Sequence, residues 1–217
     1  MTLTQRARSY WTNCSKVTLD LLYPPKCSLC GQFGDSNPCI QCVGEMTISE
    51  PAIACNNAEE LAFQGSVYRY PGRAGQAVRL LKYERRTGLA EFMAKSVRDT
   101  AEAEVLEYDI AIPIPIHWLR LVSRGFNQAD LLASSLPKRE FGLRRVRATK
   151  PQAGLNTAER LTNLDGAFEV VTDVKGKVIL LIDDVVTSGQ TAKECAKALR
   201  AAGASEVGIL AFCGDVY

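Results

Sequence analysis

The residues with the clearest chemical potential are two adjacent carboxylates, Asp183 and Asp184, and the hydroxyl-rich loop Thr187–Thr191 that follows them. Hydroxyls, a glycine that lets the backbone approach closely, and amides at a helix N-terminus together form a cradle for a phosphate. Two carboxylates directly before such a cradle would repel a bare phosphate, so the ligand must also present hydroxyl donors or a metal cation. A ribose 5-phosphate with a Mg²⁺-bound group at C1 meets both requirements.

Other phosphate-binding motifs fit this segment less well. A Walker A loop ends in Gly-Lys-Ser/Thr and a dinucleotide fold needs a G-x-G-x-x-G turn, and neither run occurs in the chain. A phosphorelay receiver has an acidic pair at a strand end, but several βα units would have to follow, and only about one strand remains. Helix capping by Thr and Ser beside incidental acids is the other alternative.

A second set of reactive side chains consists of cysteines, four of which form two CxxC pairs. The pairs are Cys27/Cys30 and Cys39/Cys42, and a turn-rich spacer of eight residues separates them. This spacing brings four thiolates within tetrahedral reach of one Zn²⁺, and four protein ligands leave no open position for catalysis. We therefore expect a structural zinc site, with a redox pair or coincidental thiols as the alternatives.

The remaining four cysteines lack a CxxC partner. Cys195 lies on the apolar stripe of a predicted helix and Cys213 ends an apolar run, so both are expected in the core. Cys14 and Cys55 have no evident role, although Cys55 is a candidate to replace or assist a zinc ligand.

The elements that must position the acid pair form a predicted βαβ unit. The aliphatic run Val178–Ile182 predicts a strand buried on both faces, as in a parallel sheet. Apolar residues at helical spacing follow from Ala192 until a stop near Gly203, and Val207–Phe212 is the next strand. A ligand site is expected at the carboxyl end of the first strand, where the two acids lie.

Length and composition indicate an ordinary globular protein of 217 residues, 47% hydrophobic and 23% charged. One medium domain, or a domain with a small appendage, is expected, while disorder and fibrous repeats are excluded. No apolar run is long enough to cross a bilayer, and the first 25 residues do not resemble a secretory signal. We expect a cytoplasmic protein without membrane insertion.

The net charge of +2 conceals a basic middle third, because residues 69–160 carry 17 basic and 10 acidic side chains. The densest basic runs are Arg69–Arg86 and Lys138–Lys150. A solvated helix face and an anion site are both open interpretations. Single-stranded DNA is also a candidate partner, since Tyr68, Tyr70 and Tyr83 accompany the first run and Phe141 the second, although the tyrosines fit the core equally well.

The chain resembles the phosphoribosyl pyrophosphate (PRPP) signature of type I phosphoribosyltransferases and, over nearly its whole length, the ComF (competence protein F) or GntX-like family. Besides the CxxC pairs and the lead-in LLYPPKC, the resemblance is carried by Leu81–Tyr83, Pro113–His117, Arg124–Gln128, Gln152–Leu155, Arg160–Asn163, Gly166–Phe168 and Asp183–Gly189. Many relatives carry a second cysteine set, of which only Cys55 is present here.

The resemblance implies an α/β fold, a type I phosphoribosyltransferase-like parallel sheet flanked by helices. Residues 1–60 would form an N-terminal helix and a small zinc-binding module of four cysteines, and residues 61–217 the phosphoribosyltransferase-like domain. Asp109–Ile114 is then a strand before a loop that faces pyrophosphate and includes Arg124 to Asn127. Gln152–Asn163, with Arg160 inside, is expected to be a mobile loop that closes over the ligand.

The resemblance also implies the reaction, in which a nucleophile displaces pyrophosphate at C1 of the ribose. Mg²⁺ and basic side chains would stabilise the leaving group, and the two acids would hold the ribose hydroxyls. The expected catalytic residues are Asp183, Asp184, Arg124, Arg160 and Lys82. The expected PRPP-binding residues are Asp183, Asp184, Val185, Val186, Thr187, Ser188, Gly189, Gln190, Thr191, Pro115 and Arg120. His117, the only histidine, is left out of both sets, and no general base stands out.

Two classes of function follow. The first is a Mg²⁺-dependent phosphoribosyltransferase that acts in DNA uptake and natural transformation, the process implied by the family name. The second is a catalytically inactive module that senses PRPP or binds single-stranded DNA in the competence machinery. In both, the expected partners are PRPP, single-stranded DNA and competence DNA-translocation proteins.

Overall fold

The computed structural model describes residues 24–55, 60–147 and 166–215. In chain order the elements are α1 (Ile40–Gly44), β1 (Ile53–Cys55), β2 (Phe63–Arg69), α2 (Arg73–Glu84), α3 (Ala90–Ala103), β3 (Ile110–Pro113), α4 (Trp118–Arg124), α5 (Gln128–Ala133), β4 (Leu143–Arg145), β5 (Phe168–Val170), β6 (Val178–Val186), α6 (Gln190–Ala201) and β7 (Glu206–Gly214).

The described elements form a five-stranded sheet in the order β1-β2-β7-β6-β3 and a separate two-stranded sheet of β4 and β5. In the large sheet β2, β7, β6 and β3 run parallel, and β1 joins the edge antiparallel to β2. The strand Val178–Ile182 predicted from sequence lies within β6, and α6 and β7 complete the predicted βαβ unit. The predicted α/β class is confirmed.

The alternation of side chains along β6 divides the core into two faces, as expected for a strand covered on both sides. Leu180 and Ile182 pack with α2, α3 and α5, while Ile179 and Leu181 pack with α6 and the small sheet. The acid pair continues this alternation, so Asp183 lies on the α6 side and Asp184 on the α2 side. Both acids belong to β6 rather than following it, because β7 pairs with the strand as far as Val186.

The cysteine-rich segment packs directly against the large sheet and its helices. Cys27, Leu29, Cys42 and Met46 belong to the same hydrophobic cluster as the buried face of α2. The predicted boundary at residue 60 stays a prediction, and the predicted N-terminal helix lies outside the described residues. Within the described part of the chain, no helix combines the length and apolar character needed to cross a bilayer.

Candidate functional site

The acid pair lies near the carboxyl end of β6 and meets a lysine from another element. Asp184 is 5% exposed, and its Oδ1 lies 2.7 Å from Nζ of Lys82 on α2. Burial alone lowers the pKa of Lys82, but the carboxylates of Asp184 and Asp183 outweigh it and raise that pKa above its ordinary value. Lys82 is therefore a charged partner of the pair.

The surroundings of Asp183 favour its protonated form. Burial raises its pKa to about 7, and the negative charge of Asp184 adds to the effect against the opposing charge of Lys82. The amide of Asp184 donates to Asp183 Oδ1 over 2.8 Å and holds the carboxyl in place. A hydroxyl donor from a ligand would relieve the unfavourable burial of this charge.

The loop after β6 leads into the N-terminus of α6 through a left-handed glycine. Gly189 has φ 65° and is the N-cap residue of α6, and an added Cβ would collide with the side-chain oxygen of Gln64. Thr187 and Ser188 are exposed. A small cavity of about 50 Å³ lies inside this loop, lined by Asp183 and the residues from Val185 to Ala192. The N-terminus of α6 lies at this loop, where helix N-termini present backbone amides, and the phosphate cradle stays a prediction.

A larger cavity of about 470 Å³ opens beside the acids. Eight residues predicted for the site line it: Lys82, Pro115, Arg120, Arg124, Asp183, Asp184, Val185 and Thr191. Val186 to Gln190 line the small loop cavity instead. Arg160 and the predicted mobile loop Gln152–Asn163 lie outside the described residues. The structure thus brings most of the predicted residues together, while their individual roles stay predictions.

Six lining residues were not among the predicted site residues: Tyr83, Ile114, Ile116, Asn127, Gln128 and Arg145. Asn127 and Gln128 belong to the motif Arg124–Gln128, and Arg145 to the second basic run, which are the signals that could have found them. Asn127 caps α5 by accepting from the Ala129 amide. Gln128 is fully buried, and its side-chain oxygen accepts from Arg124 Nη1 over 3.0 Å.

Arg145 reaches the cavity from β4, in the small sheet. Its guanidinium lies 5.4 Å from the ring centre of Phe168 and is half-buried. Burial lowers its pKa, and the positive charge of Arg120 adds to that effect. Two guanidiniums close enough to repel each other in one cavity form a site suited to an anion.

The other basic residues of the middle third are partly neutralised by local partners. Arg144 is exposed and pairs with Glu169 at 2.6 Å, while Arg139 pairs with Asp130. Tyr83 is 73% exposed at the cavity, with the Arg124 guanidinium 5.7 Å from its ring centre.

The histidine His117 is buried and its Nδ1 accepts from the Leu119 amide, so it caps α4.

Another cavity lies at the opposite edge of the sheet. Its volume is about 570 Å³, and Tyr108, Asp109, Lys138 and Val178 are among the residues that line it. Asp109 and Val178 lie at the amino-terminal ends of β3 and β6. In parallel α/β sheets ligands bind at the carboxyl ends, so the smaller cavity beside the acids is the candidate site.

The four CxxC cysteines form one cluster whose sulfur atoms all lie within 4.8 Å of one another. The Sγ atoms of Cys27 and Cys42 are 3.8 Å apart, and those of Cys30 and Cys39 are 3.7 Å apart. Tetrahedral ligands with Zn–S bonds of about 2.3 Å have sulfur atoms about 3.8 Å apart. The arrangement could therefore hold a metal such as zinc.

The environments of Cys27 and Cys42 shift the pKa values of these two thiols in opposite directions. Burial raises the pKa of Cys27, but the amides of Cys39, Cys30 and Leu29 outweigh burial and lower it to about 6. Burial raises the pKa of Cys42, and the neighbouring thiols add to that rise. Four thiolates this close together would repel one another. A divalent cation would offset that repulsion and favour the deprotonated form of the ligands.

The remaining cysteines within the described residues fit the core interpretation. Cys195 and Cys213 are completely buried. Burial raises the pKa of Cys213 to about 12 and that of Cys195 well above its ordinary value, so neither is a reactive thiolate. Cys14 lies outside the described residues, and Cys55 as a metal ligand stays a prediction.

Comparison with known proteins gives matches along the chain. The family profile for the phosphoribosyl transferase domain matches residues 121–215. Competence protein F of Haemophilus influenzae is 35% identical over 129 residues, which cover 55% of this chain and 56% of that protein. DNA utilization protein YhgH of Salmonella typhimurium is 30% identical over 223 residues, which cover 95% of this chain and 92% of that protein. The chain thus spans little more than half of the Haemophilus protein and nearly all of the Salmonella protein.

Among solved structures, a glutamine PRPP amidotransferase from B. subtilis, complexed with ADP and GMP, matches with a TM-score of 0.42. The two sequences are 20% identical, and the match covers 62% of this chain and 30% of that chain.

Proposed function

The chain belongs to the ComF-type family of phosphoribosyltransferase-like proteins, and from that premise we propose that it binds PRPP together with Mg²⁺ at the carboxyl edge of the sheet. The observation that carries the proposal is the arrangement around β6. An acid pair runs directly into a loop at a helix N-terminus, and basic side chains face the pair across one cavity. A ligand that suits this site must combine hydroxyl donors with phosphate groups.

Each part of PRPP has a matching part of the cavity. The carboxylates of Asp183 and Asp184 accept hydrogen bonds from the ribose hydroxyls, and the amides and hydroxyls of Thr187–Thr191 bind the 5-phosphate. Arg120, Arg124 and Arg145 line the cavity and suit the pyrophosphate. Mg²⁺ bound with the ligand supplies further positive charge to the pyrophosphate oxygens.

We also propose that the protein transfers the phosphoribosyl group. The bond between C1 and the pyrophosphate oxygen breaks as an acceptor nitrogen bonds to C1. The electron pair of the broken bond leaves with pyrophosphate, which also takes up the proton that the acceptor nitrogen loses. Negative charge develops on the leaving pyrophosphate, where the arginines stabilise it most.

Calorimetric titration with Mg²⁺ and PRPP tests the binding proposal. Asp184→Asn and the exposed-loop variant Thr187→Val should each weaken binding by about tenfold, since each loses a ligand contact. Thr187→Val serves as the variant that keeps the fold. Asp99→Asn is the matched control, because its carboxylate forms a surface pair with Lys95 and lines neither site cavity. Equal affinity in all four proteins would overturn the assignment.

Turnover requires its own measurement. Pyrophosphate release from PRPP, followed against a panel of nucleobases and amines, should rise with one class of acceptor and disappear in Asp184→Asn. PRPP binding without pyrophosphate release in the presence of any acceptor would favour the sensing module over the enzyme.

A role in DNA uptake, with single-stranded DNA as a second ligand, is favoured by the surface at the cavity mouth. Tyr83 is exposed beside Arg124, and the Arg85 guanidinium donates to the Ser123 carbonyl on α4. Exposed aromatic rings between guanidiniums provide stacking and phosphate contacts for a single strand. The names of the two relatives, Competence protein F and DNA utilization protein, support the same process. Competence DNA-translocation proteins are the partners, and the site of action is the cytoplasm.

The DNA proposal is tested by binding of a fluorescent oligonucleotide at two salt concentrations. Affinity should fall as salt rises, because phosphate contacts release counterions. Tyr83→Ala should weaken binding several-fold, whereas Phe141→Ala should not, although Phe141 is also exposed beside an arginine. Absence of binding at low salt would remove the DNA proposal and leave the PRPP proposal intact.

A further inference from the structure

We propose that Arg86 is a positioning residue that couples the four-cysteine metal cluster to the PRPP site through α2. The inference rests on the proposed function, because Lys82 on α2 contributes to the PRPP cavity. The inference is that metal binding and PRPP binding change each other's affinity. Neither the four-cysteine cluster nor the acid pair implies this coupling alone.

The first step is the contact between Arg86 and the first CxxC pair. Arg86 Nη1 donates to the carbonyl of Ser28 over 2.8 Å, and Ser28 lies between Cys27 and Cys30. The Ser28 amide donates in turn to Asn37 Oδ1 over 2.8 Å. Asn37 lies in the spacer between the two CxxC pairs, so Ser28 is bonded to this spacer through its amide and to Arg86 through its carbonyl.

The second step is the orientation of the Arg86 side chain. Its Nε and Nη2 atoms lie 3.1 and 2.9 Å from Glu84 Oε2, at the last residue of α2. The guanidinium therefore joins the end of α2 to the metal-binding segment with a planar set of bonds. The backbone turns at Arg85, whose φ is 53°, so this contact also fixes the direction in which the chain leaves the helix.

A second connection lies at the other end of α2. Arg73, its first residue, forms an ion pair with Glu45, which follows α1 and Cys42. Between these two ends, the metal-binding segment and α2 contribute to one hydrophobic cluster, which includes Cys27, Leu29, Cys42 and Met46 from the segment and Ala74, Ala77, Val78 and Leu81 from the helix. The metal-binding segment is thus bonded near both ends of α2 and shares one hydrophobic cluster with the buried face of this helix.

The last step leads from α2 to the cavity. Lys82 precedes Arg86 by four residues and pairs with Asp184, and Tyr83 lines the same cavity. A metal ion that fixes the Cys27–Cys30 turn fixes the Ser28 carbonyl and, through Arg86, the end of the helix that carries Lys82. Because coupling between two binding sites is reciprocal, PRPP must then tighten the bound metal by the factor by which the metal tightens PRPP.

The experiment measures Zn²⁺ affinity by equilibrium competition with a chromogenic chelator, with and without saturating Mg²⁺ and PRPP, in the full chain. In the wild type Mg²⁺-PRPP should tighten Zn²⁺ by about fivefold. Arg86→Ala should remove that difference and weaken Mg²⁺-PRPP binding by the same factor, and Arg86→Lys, which keeps a donor for the Ser28 carbonyl, should restore part of both. Arg79→Ala, an exposed arginine on the same helix, should behave as the wild type.

The outcomes separate this inference from the proposed function. If the wild type binds Mg²⁺-PRPP and Arg86→Ala shows the same reciprocal effect, the coupling is overturned while PRPP binding stands. If the wild type does not bind Mg²⁺-PRPP, the proposed function fails and the coupling fails with it. Equal loss in Arg79→Ala and Arg86→Ala would assign the effect to helix charge and also overturn the inference.

Discussion

Nζ of Lys82 lies 2.7 Å from Oδ1 of Asp184, across 102 residues of sequence. The Asp184 side chain is 7% exposed and that of Lys82 is 22% exposed, so the pair is largely removed from water. A ligand hydroxyl that approaches Asp184 meets a carboxylate already oriented by the ammonium group. The same contact joins α2 to β6 at the candidate site.

The first prediction concerns the energy of this ion pair. Asp184→Asn should lower the free energy of unfolding by about 2–3 kcal/mol, because it leaves the ammonium of Lys82 partly buried without its counter-charge. Lys82→Met should lower it similarly, and the double variant should lose less than the sum. Urea unfolding of the four proteins gives the coupling energy.

The matched control is the surface pair Lys95 and Asp99, whose side chains are 63% and 45% exposed. Its coupling energy should be about 0.5 kcal/mol or less. Similar coupling energies for the two pairs would contradict the interpretation of Lys82 and Asp184 as a buried pair.

The second prediction follows from the pKa of Asp183, which burial raises to about 7. The folded state then binds this proton more tightly than the unfolded chain, so Asp183 favours folding below pH 4 and loses that contribution as pH rises through 7. Asp183→Asn removes the buried charge and should stabilise the ligand-free protein by about 2–4 kcal/mol at pH 8. The gain should shrink toward pH 4.5.

Chemical unfolding at pH 4.5, 6 and 8 without Mg²⁺ checks this prediction. The asparagine keeps an oxygen that accepts from the Asp184 amide. This hydrogen bond is therefore present in both proteins, and the comparison measures the effect of the charge. A gain that is the same at all three pH values would show that Asp183 titrates normally.

The local part of the site could be predicted because neighbouring residues carry it. The aliphatic run of β6, the acid pair and the hydroxyl loop are continuous in sequence, so a strand, its end and a helix N-terminus follow from one pattern. The CxxC pairs likewise predict their own cluster. For β6 only the predicted end of the strand was wrong. The sequence predicts an end at Ile182, whereas the strand continues to Val186 because Val185 and Val186 pair with β7.

The non-local part could not be predicted from such patterns. The sequence predicts Lys82 as a catalytic residue but not its ion pair with Asp184, which depends on how α2 packs on the sheet. Arg144 and Arg145 are equivalent as members of a basic run, and only the pairing of β4 with β5 decides which one reaches the cavity. The positions of Lys82 and Arg145 in the site are therefore determined by long-range packing, which the basic runs in the sequence do not indicate.

The third prediction concerns the left-handed glycine at the start of α6. Gly189→Ala should weaken Mg²⁺-PRPP binding by about tenfold, because the strain at φ 65° falls within the loop proposed to bind the 5-phosphate, and the end of the Gln64 side chain must also move away from the new Cβ. Gly176→Ala is the control, since its φ is 70° and a Cβ there meets no atom within 4 Å. Both variants should lose stability by about 1 kcal/mol or more, but only the first should lose ligand affinity in calorimetric titration.

The fourth prediction concerns metal removal. Dialysis against a chelator should lower the melting temperature by about 10 °C or more, because Cys27 and Cys42 belong to the hydrophobic cluster that includes α2. Added Zn²⁺ should restore it. Cys27→Ser should abolish stoichiometric zinc, whereas Cys213→Ser, at a buried thiol outside the metal-binding group, should retain it in elemental analysis. An unchanged melting temperature after complete removal of metal would contradict a structural role.

The fifth prediction separates two adjacent arginines on β4. Their side chains point to opposite sides of the strand, so Arg145 lines the cavity while Arg144 is exposed and pairs with Glu169. Arg145→Ala should weaken Mg²⁺-PRPP binding by about tenfold, because it removes a guanidinium from a partly desolvated anion site. Arg144→Ala changes the net charge equally and should leave the affinity unchanged. Equal losses in the two variants would mean that net charge, rather than the position of Arg145, governs binding.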